Sequence, residues 1–179
     1  MNRVLISSCI LLATTLASCS TAPKSESGKA DIRADAETAL ARAQRNDPTL
    51  TPILNNAVGY AVFPNVGKGA AGIGGAYGRG VLYEGGTFVG YCDLTQATIG
   101  LQLGGQAYTE IIAFSTQDAI KEFKDGHFAF DAQATAVAVK SGSGANAKYT
   151  SGVAVFTMDE AGLMYEASIG GQKFSYQAK

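Results

Sequence analysis

Gly59-Tyr60-Ala61-Val62-Phe63-Pro64 and, a few residues on, Ala70-Ala71-Gly72-Ile73-Gly74-Gly75-Ala76-Tyr77-Gly78-Arg79-Gly80-Val81-Leu82-Tyr83 decide the fold. Five glycines fall within nine residues, each costing a helix about 1 kcal/mol, so no helix forms there. Their neighbours are Ala, Val, Ile, Leu and Tyr, which argues for bent, closely packed strands and against a flexible linker. Val58 to Phe63 reads as a compact apolar strand that stops at Pro64, and residues 70–83 as one long glycine-broken strand or two short ones. Strand character continues over 86–91, 97–104 and 108–114. Ser115 or Thr116 then caps a helix over 117–124 that ends at Gly126. Residues 128–139 alternate with period two, 141–147 (SGSGANA) form a turn, and 152–158, 163–169 and 172–176 close the chain as strands. Asp159 to Gly162 and Gly170-Gly171 are the turns between those last three. Upstream, Ile32, Ala36, Ala39, Leu40 and Ala43 share one face of a helix over 31–46, with Asp31 as its cap and Asp47-Pro48 as its stop. A short second helix over 49–56 ends at Asn55-Asn56. The fold class is mainly β (α+β): a bent or barrel-like antiparallel sheet with two or three helices on one face or end.

The chemistry-bearing motifs are few. Gly67-Lys68-Gly69-Ala70-Ala71-Gly72 matches GxGxxG, but a dinucleotide site needs a helix opening at the third glycine. Here the glycines run on through Gly74, Gly75, Gly78 and Gly80, so a kinked β segment is expected. Lys68 is not followed by Ser or Thr, which excludes a phosphate-binding P-loop. His127 is the single histidine. It has no histidine partner for a zinc site and no serine in a nucleophile elbow, so neither metal nor catalytic residues are assigned. The charge balance lacks the basic footprint of a nucleic-acid binder.

The chain of 179 residues starts with Arg3 and an apolar run from Val4 to Leu16, the layout of a secretory leader. That run is shorter than the ~20 residues needed to span a bilayer. Leu16-Ala17-Ser18-Cys19 resembles the bacterial lipobox. The resemblance implies cleavage before Cys19, a diacylglyceryl group on its thiol and an acyl group on its new amine, with no other cofactor. Two or more chains give stable anchoring. Ser20 after the cysteine implies the outer membrane, facing the periplasm. The expected organisation is a lipoprotein signal peptide over 1–18, a lipidated N-terminus and flexible tether over 19–29, and a single domain over 30–179. Without Arg3 the mature chain has 13 basic and 15 acidic residues. Cys9 leaves with the leader and Cys19 takes lipid, so Cys92 is either a buried small hydrophobe or a thiol that pairs between chains.

Residues 59–64 with the run from Gly72 to Gly80 resemble the opening of the SYLF domain. Gly100-Leu101-Gln102-Leu103-Gly104-Gly105-Gln106 with Glu110-Ile111-Ile112 is similar to its middle block, and Ala119 to Phe123 sits at its short helix. Gly162 to Gly171 is similar to its closing block. The resemblance covers about 50–179 and implies binding rather than catalysis. Eukaryotic SYLF proteins bind phosphoinositide membranes and some bind actin filaments, while bacterial members are often secreted or lipid-anchored. The resulting expectation is a non-catalytic envelope protein, held on the membrane by the Cys19 lipid, that binds anionic lipid or another membrane component. Lys68, Arg79, Lys121 and Lys124 are the candidate contacts to anionic phospholipid head groups. The alternative is a structural or stress-related lipoprotein that binds a protein partner.

Overall fold

The computed structural model describes residues 25–71, 73–99, 106–130, 135–139, 141–159 and 167–179. The leader, Cys19, most of the tether, the Gly100–Gly105 part of the middle block and residues 162–166 of the closing block lie outside this set.

The chain opens with α1 (Glu26–Asn46) and α2 (Leu50–Asn56). Strands β1 (Gly59–Ala71), β2 (Ile73–Glu84), β3 (Thr87–Ile99) and β4 (Gln106–Phe114) follow, then α3 (Gln117–Lys124). Strands β5 (Thr135–Ala138), β6 (Val153–Asp159), β7 (Ala167–Ser168) and β8 (Gln172–Ala178) complete the described elements, with a 3-10 turn at Gly144–Asn146. The strands form one sheet in the order β7-β5-β6-β4-β1-β2-β3-β8. All neighbours are antiparallel except β5 and β6, which run parallel, so the sheet is mixed rather than wholly antiparallel. It is open in strand order. The segment after α3 reaches both ends, bridging β8 at Ala129–Lys173 and pairing with β6 through β5.

Both faces of the sheet are buried along β6, β4 and the first half of β1, which is why β6 is an unbroken apolar run over most of its length, while Tyr77, Arg79, Thr95, Lys173 and Ser175 leave one face open at the β2–β3–β8 end. Ala61, Phe63, Leu82, Leu94, Ile112, Phe114 and Phe174 point to one side, where they meet Ile120 and Phe123 of α3. Phe123 stacks between Phe114 and Phe174, with ring centroids 5.0 Å away in each case. Val62, Val81, Tyr83, Ile111, Ala113 and Phe156 point to the other side, where α1 and α2 lie. The buried face of α1 is made of Ala36, Ala39 and Ala43, so its backbone comes close to the sheet. Its first turns carry Lys29 over the Tyr91 ring at 6.0 Å and Arg33 over Phe88 at 4.5 Å, cation–π contacts that dock the helix on aromatics.

Several boundaries differ from expectation for physical reasons. α1 starts at Glu26 rather than in the low thirties, because Ser25 caps it through the amide of Gly28. Residues 26–29 are therefore helix and not tether. β1 passes through Pro64 to Ala71 instead of stopping there. Its register with β2 shifts between Val62 and Asn65, and this bulge places a residue without an N–H in a central strand. The Pro64 carbonyl accepts from Thr109 Oγ1 at 2.9 Å. Residues 70–83 are not one strand, since the pairing of Ala71 with Ile73 puts a reversal between them. Conversely, 87–91 and 97–99 belong to a single β3, because Asp93 and Gln96 between them are buried with hydrogen-bond partners.

Gly80 explains the glycine enrichment. A Cβ there would run into the Val62 carbonyl and the Phe63 ring. The GxGxxG match is thus β structure, as the sequence reading expects: Gly67, Lys68, Gly69, Ala70 and Ala71 all lie in β1.

Candidate functional site

The four cations expected at one site are not brought together. Lys68 sits in β1 opposite Ala76 and Gln106, and its side chain is outside the described set. Lys124 pairs with Glu84, at the other end of β2. Ala76 and Glu84 are eight residues apart along that strand, about 27 Å at ~3.4 Å per residue. Arg79 lies between them. Its Nε donates to the Tyr77 hydroxyl at 2.8 Å and is 3.9 Å from Asp93 Oδ1. The Tyr77 hydroxyl donates to that same Asp93 oxygen at 3.1 Å, and Ser175 Oγ is 3.4 Å from the other. Lys121 and Lys124 share α3, three residues apart. Lys121 Nζ donates to Asp125 Oδ2 at 2.8 Å, and Lys124 Nζ is also 5.4 Å from the Tyr176 ring. Arg79, Lys121 and Lys124 are thus each matched to a carboxylate of their own.

A concave surface among the described residues lies elsewhere. A groove of about 530 Å³ is lined by Pro48, Thr49, Pro52 and Ile53 on one wall and by Gly144, Ala145, Ala147 and Tyr149 on the other. That is within the size range of ligand pockets. Tyr149 is 40% exposed, one of two large hydrophobic residues left open among the described residues. Partial burial of its ring pushes the hydroxyl pKa up.

One carboxylate ties the two walls together. α1 ends at Asp47, whose N–H bonds the Ala43 carbonyl at 2.8 Å. Pro48 confines the residue before it to extended backbone, which ends the helix there. Pro52 falls in the first turn of α2, where a missing N–H removes no helical bond. The Asp47 side chain is fully buried. Its Oδ1 accepts from Thr49 N at 3.0 Å, Thr49 Oγ1 at 2.6 Å and Gly142 N at 3.1 Å. Its Oδ2 accepts from Gly144 N at 2.6 Å. Burial pushes this carboxyl up, but the bonds from Thr49, Gly144 and Gly142 outweigh burial and hold it below the ordinary aspartate value. Gly144 is needed at this contact, since a Cβ would lie 2.6 Å from Thr49 Oγ1 and 3.2 Å from Ile53 Cδ1. Sequence reasoning marks Asp47-Pro48 as a helix stop and 141–147 as a turn. No spacing signal joins them, because 95 residues separate Asp47 from Gly142.

A second buried polar group lies on the α3 side of the sheet. Gln172 Nε2 donates to Glu110 Oε2 at 2.9 Å and contacts the Tyr108 hydroxyl at 3.4 Å. Burial, with the Glu110 charge beside it, pushes the Tyr108 hydroxyl well above its usual range. These bonds tie β4 to the start of β8 through the interior. Cys92 is buried in the same layer, and burial and Asp93 push its thiol up. Of the two readings of this residue, the buried hydrophobe is the one observed. His127 is exposed. Among the described residues, no group of three His, Cys, Asp or Glu could hold a metal, and no helix is long and apolar enough to cross a membrane.

The model of the Ysc84 family, the SYLF domain, described as Las17-binding protein actin regulator, matches residues 95–179. A protein of Aeromonas veronii described as beta cell expansion factor A is 28% identical over 144 residues, covering 80% of this chain and 55% of the relative. The chain therefore spans about half the length of that relative. The family match takes in the Gly144–Tyr149 wall of the groove, while Asp47 and α2 lie before it.

Proposed function

We propose that this chain, whose residues 95–179 match the SYLF family model, is a non-catalytic binding module presented from a bacterial envelope membrane by lipid on Cys19. The observation that carries the recognition half of this reading is the groove between α2 and the 141–149 loop. It is apolar, open and built in advance, with both walls hung from the Asp47 carboxylate. Preorganised walls lower the ordering cost of binding. The family is described as that of a binding protein, which supports the same reading. The lipobox at Cys19, with Ser20 after it, supports attachment to the outer membrane on its periplasmic side. In this reading the lipid does the anchoring and the domain recognises a protein partner.

A second reading, recognition of anionic head groups, is favoured by the exposure of Lys121, whose side chain is 76% accessible. Its pairing with Asp125 and the separation of Lys68, Arg79 and Lys124 weigh against it.

Membrane fractionation of wild type and Cys19→Ala tests the anchor, with the variant expected in the soluble fraction. Co-sedimentation of the released protein with neutral and cardiolipin-containing liposomes, at low and moderate salt, tests the domain. The expected result is no preference for anionic vesicles. Binding that requires anionic lipid and weakens with salt would establish the second reading instead.

A further inference from the structure

We infer that the occupant of the groove is a peptide segment of another protein, apolar at its centre and acidic at its flanks; this rests on the reading of the groove as the recognition surface. The first argument is charge. Residues 44–56 and 141–152 supply both walls and their approaches, and the one acid among their described residues is Asp47. That carboxylate is buried and satisfied by four donors, so it turns no acceptor to the groove. The exposed cations of these stretches are Arg45, two residues before Asp47, and Lys148, between Ala147 and Tyr149. Neither enters an ion pair among the described residues, unlike Arg79, Lys121 and Lys124. An apolar groove with no exposed acid in its walls, and with Arg45 and Lys148 next to its lining residues in the chain, is complementary to an apolar segment carrying Asp or Glu.

The second argument is position. The Cys19 anchor precedes the start of α1, and the groove lies past its end. α1 has 21 residues, so about 31 Å of helix separates its two ends. In the anchored reading the groove lies at the end of α1 remote along the chain from the lipid, which leaves it accessible to a protein segment. The shape agrees, because the groove is a trough between a helix and a loop. Pro48, Pro52, Ile53 and Tyr149 offer stiff apolar contacts of the kind that hold extended peptides.

The test uses the detergent-solubilised mature protein and three capped twelve-residue peptides with a common Leu-Ile-Tyr centre, flanked by Asp and Glu, by Lys, or by Ser. Binding is read by fluorescence anisotropy and by amide shifts of residues 144–149. The acid-flanked peptide is expected to bind at least ten-fold tighter than the Lys-flanked one and to shift those amides. Ile53→Asp should abolish binding. Should that variant fail to fold, Lys148→Glu changes only an exposed residue and is expected to reduce the preference for acidic flanks several-fold. Equal affinity for all three peptides, or binding unaffected by both variants, overturns the proposal. So does protection of Tyr149 by short-chain phosphatidylglycerol alone, or an Ile53-dependent dimer in sedimentation velocity. If no peptide binds while Cys19→Ala still releases the protein from membranes, the partner chemistry falls and the anchored module stands.

Discussion

The β1–β2 region and the 141–147 loop are both rich in glycine, and they use it in opposite ways. In the strands glycine removes a side chain so that neighbours can close in: at Gly80 the space belongs to the Val62 carbonyl and the Phe63 ring. In the loop glycine brings backbone N–H groups to a carboxylate: Gly142, at φ +80°, and Gly144 both donate to Asp47. The first use builds a closely packed sheet. The second builds a groove. Composition alone does not separate the two, because what differs is the partner that each glycine faces.

The expected effect that reaches the whole domain comes from breaking the strand use. Gly80→Val forces atoms into backbone and ring, and overpacking of this kind costs about 1–3 kcal/mol or more. Urea unfolding should show a lower midpoint for the whole domain. An unchanged midpoint would mean that the Val62–Phe63 contact is loose.

Asp47→Ala breaks the loop use. It leaves the amides of Thr49, Gly142 and Gly144 without their acceptor, at about 1–3 kcal/mol for each one that stays buried and unpaired. The loss should be local, with the groove walls separating before the sheet melts. Asp47→Asn keeps an acceptor oxygen at Oδ1 and should recover part of the loss in the same urea series. Gly144→Ala comes next, with a cost of about 1–2 kcal/mol from the clash with Thr49 and Ile53.

The Asp47 bonds also predict a pH dependence. Its carboxyl pKa is lowered in the folded protein, so its contribution is fully present above the unfolded value of about 3.9 and is lost as pH falls through the folded value. The stability gap between wild type and Asp47→Asn should therefore be constant from pH 7 to pH 5 and shrink below pH 4. A gap that instead shrinks towards neutral pH would assign the loop to another group. The smallest effect is a gain. Ser151 holds φ +50°, the left-handed region, and Ser151→Asn should stabilise by less than about 1 kcal/mol, measurable as a small rise in thermal midpoint.

Much of the fold is legible in the residues, and particular positions show why some of it is not. The α3 boundaries read correctly because Thr116 caps an apolar face of Ala119, Ile120 and Phe123. The alanine face of α1 reads correctly for the same periodic reason. Its start does not, since Gly28 is a poor helix former, and Ser25 capping with Lys29 on Tyr91 compensates. Pro64 looks like a strand end, yet a bulge accommodates it. Residues 92–96 fall between two strand runs in the sequence, yet Asp93 and Gln96 are satisfied inside the sheet by Tyr77, Ser175 and the Gly170 carbonyl. The site was the least legible part. Lys68, Arg79, Lys121 and Lys124 show charge but not separation, and Asp47 meets its loop across 95 residues.

Amide hydrogen exchange of Gly142 and Gly144 in wild type and Asp47→Ala tests most directly whether one carboxylate holds the groove. The account predicts that both amides are protected in wild type and lose protection in the variant, while Val62 and Ile112 in the sheet keep theirs. Equal protection at Gly142 and Gly144 in the two proteins would contradict it.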